Sequence, residues 1–84
     1  MRPARTPAFA RRFRKLTPEQ QHAVEAAMRR LAANPADPRL RLHRLTGRLA
    51  GRSAFNAGYD LRVVCRIEGD VAYLLGVGSH DEVY

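Results

Sequence analysis

The sequence predicts an α+β domain in which an N-terminal helical hairpin packs on a small antiparallel β-sheet. Three observations carry this reading. Apolar residues recur at helical spacing between residues 9 and 31, the period falls to two after the turn residues NPADP at 34–38, and two apolar runs flank the acidic turn Glu68-Gly69-Asp70. Helices that come first and strands that follow suit an architecture with the helices on one face of an antiparallel sheet.

Each element follows from local chemistry. Phe9, Phe13 and Leu16 recur at i, i+4 and i+7, with Arg11, Arg12, Arg14 and Lys15 between them, which makes an amphipathic turn and a half. Thr17-Pro18-Glu19-Gln20 is a helix start of the capping-box kind, with Thr17 as N-cap, Pro18 at the first helical position and Gln20 at the third. Val24, Ala27, Met28 and Leu31 then line a second stripe, and His22 falls off it as a solvated residue. RLRLHRL alternates through Leu40 and Leu42, TGRLAG at 46–51 is a loop, and RSAFNAG is a short segment ending at Gly58. LRVVCRI puts Leu61, Val63, Cys65 and Ile67 on one face and Arg62, Val64 and Arg66 on the other, and after the acidic hairpin VAYLLGV returns as a strand. That strand runs into GSHDEVY, so a histidine, two acids and a tyrosine stand at the edge of the core.

With 84 residues the chain is read as one domain, residues 1–84, with a thin core and room for one site. No apolar stretch approaches the roughly 18 residues of a membrane span, and MRPARTPAF has no apolar signal region, so a soluble cytoplasmic protein is expected. The one cysteine, Cys65, excludes an internal disulfide and reads as a small buried hydrophobe. All 15 Lys and Arg lie in residues 1–66 against four acids, a formal +11, whereas residues 67–84 hold four acids and no Lys or Arg, a formal −4. Fourteen of the cations are Arg, whose planar fork suits bidentate phosphate contact. An Arg-rich coding bias gives the same composition, and an acidic protein meets the same field, so charge alone does not separate RNA from peptide.

The order helix, helix, LHRLTGRLAG, RSAFNAGYDLRVVCRIEGD, VAYLLGVGSHDEVY resembles the RelE/ParE toxin superfamily of bacterial toxin–antitoxin systems, and within it the YafQ branch, over residues 6–84. The resemblance implies a RelE-like fold, a ribosome-dependent endoribonuclease that cleaves mRNA, and a cognate antitoxin that wraps around the toxin. It places catalytic roles on His43 of LHRLTG, Asp60 of GYDLRVV, and His80 and Tyr84 of the terminal segment. Two departures stand out. Asn56 occupies the position of a further family histidine, and MRPAR lacks the apolar opening strand usual in the family.

RNA cleavage through the 2′-hydroxyl needs a base for the nucleophile, an acid for the leaving 5′-oxygen, and cations on the phosphorane. It requires neither a metal nor another cofactor. Histidine as a residue type titrates near working pH and suits both proton transfers. Asp60 would orient or charge one histidine, Arg48, Arg52, Arg62 and Arg66 would contact phosphate, and Tyr84 would stack on an unpaired base. Histidines at 22, 43 and 80 have no ligand spacing, which disfavours a metal site, and there is no phosphate-binding glycine loop. Each candidate has a plainer reading: His43 as a surface residue, Asp60 as the ion-pair partner of an Arg, Tyr84 as a cap on the core. Two functional classes remain, an mRNA endonuclease and a ParE-like toxin that inhibits gyrase by binding alone. A binder has no need of paired titratable groups, so His43 and His80 favour the nuclease.

Overall fold

Thr17 caps its helix as the sequence predicts. Its hydroxyl accepts from the Gln20 amide at 3.1 Å, and the Gln20 side chain accepts from the Thr17 amide at 2.9 Å. The computed structural model describes residues 1–58 and 60–83. Among them the order is β1 (Arg2–Arg5), α1 (Pro7–Arg14), α2 (Pro18–Ala33), β2 (His43–Arg44), a 3₁₀ turn (Gly47–Leu49), β3 (Ser53–Ala57), β4 (Leu61–Glu68), β5 (Val71–Ser79) and α3 (His80–Val83). The two long helices form the expected hairpin, tied by a bond from Gln21 Nε2 to the Phe13 carbonyl at 3.0 Å. Each faces the sheet, α1 against β5 and α2 against β1, β3 and β4.

The sheet has five strands in the order β1-β5-β4-β3-β2. Four pair antiparallel as expected, but β1 runs parallel to β5, with Arg2 opposite Val71 and Arg5 opposite Leu74. MRPAR is therefore a strand although it lacks an apolar run. At a sheet edge the backbone ladder is sufficient, and Pro3, which has no N–H to give, is tolerated there. Thr6 fastens the junction: its hydroxyl donates to the Leu74 carbonyl at 2.6 Å and accepts from the Phe9 amide at 3.3 Å, capping α1.

Pairing register divides the side chains into two faces. The inner one sets Phe55, Ala57, Leu61, Val63, Cys65, Ala72, Leu74 and Val77 against Phe9, Val24, Ala27 and Leu31 of the helices, all buried. Burial pushes the Cys65 thiol up to about 11, so it is a neutral hydrophobe, not a nucleophile. The opposite face carries His43, Ala54, Asn56, Arg62 and Val64 in register. Gly69, at φ +61° in the left-handed region that glycine enters freely, turns β4 into β5.

The alternating RLRLHRL does not make a long strand. Leu40 is fully buried, and its carbonyl accepts from the Asn56 amide at 2.7 Å, but Arg41 then takes φ +48° and only His43 and Arg44 pair with β3. The turn ahead of Leu40 is pinned by Asp37, which holds the Arg39 guanidinium at 2.8 Å and accepts from the Arg39 amide at 2.9 Å. Those bonds lower the Asp37 carboxyl to about 2. Their contribution is complete above the ordinary carboxylate range and is lost as pH falls through that value.

Candidate active site

Four strands of the outer face converge on one cleft. Arg41, Leu42, His43, Asn56, Arg62 and His80 line an open hollow of about 590 Å³. His43 comes from β2, Asn56 from β3 and Arg62 from β4, while His80 stands where β5 passes into α3. Because Asn56 lies opposite Arg62, and Arg62 opposite Gly78, the histidines stand on either side of an amide and a guanidinium. Three interstrand spacings, roughly 14 Å, separate the β2 and β5 backbones, which leaves room for a phosphodiester between two inward-reaching side chains. Gly78 adds no side chain beside Arg62 on this face.

His43 is oriented by its neighbour. Its Nδ1 lies 2.8 Å from the Arg41 carbonyl oxygen. A carbonyl only accepts, so Nδ1 carries the proton, and in the neutral ring Nε2 keeps a lone pair for a substrate. The left-handed backbone of Arg41 therefore accompanies the contact that sets the His43 tautomer. Glycine tolerates this conformation and a β-branched residue does not. Arg41→Gly is expected to unfold at the same or higher urea than the parent, whereas Arg41→Val loses roughly 1–3 kcal/mol. Denaturation of the two variants measures this.

His80 is an exposed residue whose Nδ1 lies 3.7 Å from Asp81 Oδ1, a pair that is ionic when the ring is protonated. Residue 79 begins a second capping box, which the sequence reading did not single out. The Ser79 amide donates to Glu82 Oε1 at 2.8 Å, and the Glu82 amide donates to Ser79 Oγ at 3.4 Å. These bonds to Ser79, with the Arg12 charge nearby, lower the Glu82 carboxyl. The Ser-x-x-Glu spacing was the available signal.

The other candidates are dispersed. Asp60 is exposed and does not line the cleft of His43 and His80; it borders two other hollows, one with Arg12, Lys15, Gln20, Ser79 and Glu82, the other with Thr17, Gln20 and Gly58. Arg52 borders a neighbouring hollow with Val64, Gly76 and Val83, and Arg48 is exposed on the 3₁₀ turn. Arg66 stands four residues along β4 from Arg62, roughly 13 Å, where Glu68 holds it at 2.6 Å and it covers the Tyr73 ring at 5.7 Å. Of the four candidate arginines, Arg62 is the one that lines the cleft, together with Arg41, which sequence reasoning missed. Tyr84 lies outside the described residues. Among the described residues no three His, Cys, Asp or Glu side chains gather as metal ligands, and no helix is long and apolar enough to cross a membrane.

No family model matches the chain, and no curated protein matches its sequence. Solved structures do share its architecture. The RelBE2 toxin–antitoxin complex of Mycobacterium tuberculosis aligns with 94% of this chain and 96% of that one at 24% identity and a TM-score of 0.79. YafQ from E. coli strain BL21(DE3) aligns with 100% and 99% at 13% identity and a TM-score of 0.78. A YoeB/ParE toxin from Agrobacterium tumefaciens aligns with 95% and 99% at 15% identity and a TM-score of 0.75. At these identities the likeness is one of fold: the chain shares the architecture of the RelBE2, YafQ and YoeB/ParE toxin structures.

Proposed function

We propose that this protein is the toxin of a toxin–antitoxin pair and that it cuts mRNA on the ribosome by metal-independent attack of a 2′-hydroxyl. The observation that carries the proposal is the placement of His43 and His80 across a cleft with Arg62 on its floor. His43 Nε2, left unprotonated by the Arg41 contact, accepts the 2′-hydroxyl proton. The 2′-oxygen attacks phosphorus, and Arg62 and Arg41 balance the charge of the phosphorane. Protonated His80 gives its proton to the departing 5′-oxygen, leaving a 2′,3′-cyclic phosphate and a 5′-hydroxyl. Asp60 enters the proposal as part of the turn into β4, not as a group on the substrate. Asn56 fills its place in the cleft as a neutral donor and acceptor, with no part in proton transfer.

The cleft is open and shallow, so substrate placement falls to the ribosome, which holds an unpaired codon in the geometry that in-line attack needs. The purified protein is expected to cut ribosome-bound message efficiently and naked RNA poorly. Efficient cutting of free RNA would contradict the ribosomal assignment. Loss of gyrase supercoiling activity without RNA cleavage would instead identify a ParE-like binder. The cognate antitoxin is proposed to meet the cationic surface of residues 1–66 with an acidic or amphipathic segment, and to co-purify with the toxin when both are expressed.

A further inference from the structure

We infer that Glu82 is a positioning residue for His80, closing the turn that presents the imidazole and tethering that turn to α1. This inference rests on the proposal that His80 gives up a proton in the cleft.

Four observations support it. First, α3 spans only His80–Val83, one turn, and a helix that short has too few internal bonds to hold itself. Second, the reciprocal bonds between Ser79 and Glu82 enclose His80 and Asp81, so this pair closes the turn from which His80 projects. Third, Arg12 Nη2 of α1 reaches Glu82 Oε2 at 3.6 Å, joining the first helix to the last turn. Fourth, the packing beneath is close. A Cβ on Gly78 would lie 3.0 Å from Glu82 Oε1, 3.1 Å from Glu82 Cβ and 3.3 Å from Arg12 Nη2, so the glycine leaves room for both side chains. Here one carboxylate uses one oxygen on a backbone amide and the other on a guanidinium.

The charged and titratable groups around Glu82 are Arg12, Arg52, Lys15 and Asp60, which line the same hollows, with His80 and Asp81 on its own turn. The lowered Glu82 carboxyl gives the sign of the pH dependence. The cap is fully formed above the ordinary carboxylate range and opens as pH falls through the lowered value, so the turn stays closed throughout the range in which histidines as a class titrate.

The test uses the full chain and two readouts. In single-turnover cleavage of ribosome-bound mRNA, Glu82→Ala is expected to reduce the rate by roughly 3- to 10-fold, the scale of losing one helix cap, with ribosome affinity unchanged. Glu82→Gln, whose amide oxygen still accepts from Ser79, should recover part of that loss. On a His80→Gln background Glu82→Ala should have no further effect, since a residue that acts only through His80 has nothing left to position. NMR relaxation of the His80 ring supplies a readout that needs no activity: the ring should be ordered in the parent and measurably more mobile in Glu82→Ala. A wild-type rate for Glu82→Ala, an equal loss on the His80→Gln background, or an ordered His80 ring in Glu82→Ala would each overturn the inference. If His80→Gln itself cleaves at the wild-type rate, the proposed role of His80 as proton donor fails, while the NMR result still decides whether Glu82 orders the turn.

Discussion

His80→Gln is expected to slow single-turnover cleavage of ribosome-bound mRNA by roughly 10²- to 10⁴-fold while ribosome binding stays at the wild-type level. Glutamine keeps the approximate reach and one hydrogen bond of the imidazole but cannot deliver a proton near neutral pH. His80 stands exposed at the cleft, so the substitution should change folding stability little compared with its effect on turnover. His43→Gln should lose a similar factor, because it removes the lone pair that the Arg41 carbonyl leaves on Nε2. The pair should be far from additive, since a base without an acid achieves little. Arg62→Ala should behave differently, weakening binding and flattening its dependence on salt, as loss of a phosphate contact does. Should His80→Gln cleave at the wild-type rate, His80 is a structural residue and the proton donor must be sought elsewhere.

Phe55→Ala should cost roughly 3–5 kcal/mol of folding stability. Phe55 is fully buried at the centre of β3, opposite Val63, and is among the largest side chains of the single inner core. Removing its ring leaves a cavity in a layer that α2 covers and that a small domain cannot easily collapse. Since domains of this size are stable by only about 5–15 kcal/mol, the variant should be largely unfolded at growth temperature. Urea denaturation followed by circular dichroism measures it, and a change of less than about 1 kcal/mol would show that β3 does not contribute to the core as described. Phe55→Leu, which refills most of the volume, should lose much less.

How much of this was legible in the sequence depends on how local each cause is. The Thr17 capping box, the Gly69 turn and the alternating Leu61, Val63 and Cys65 are set by residues within a few positions of one another, and the structure keeps them. β1 was not legible, because its partner is nearly seventy residues away and an edge strand held by its backbone leaves no apolar pattern. Nor was the kink at Arg41, whose cause includes the Asn56 amide on a different strand. For the site, the approach of His43 and His80 follows from register across β2 to β5, which no spacing along the chain records. Conversely, Asp60 and Arg66 stand near site residues in sequence but do not line the cleft. Proximity in the chain is a poor guide here because Asp60 lies in the turn before β4 and Arg66 is roughly 13 Å along the strand from Arg62, held by Glu68. The Ser79–Glu82 pair is legible in principle as Ser-x-x-Glu, but it follows the strand VAYLLGV directly and no apolar helical stripe marks what comes after it.

The parallel pairing of β1 with β5 has a consequence for the order in which the chain acquires structure. Residues 2–5 are made well before their partners, residues 71–74, so the ladder and the Thr6 bond to Leu74 close a separation of 68 residues. At synthesis rates of roughly 5–20 residues per second, β1 waits several seconds with one unpaired edge while α1 and α2 form from local contacts. Non-local closure of this kind is the slow step in small domains. The segment that closes the sheet also carries His80 at its end, so completion of the fold and completion of the cleft are the same late event.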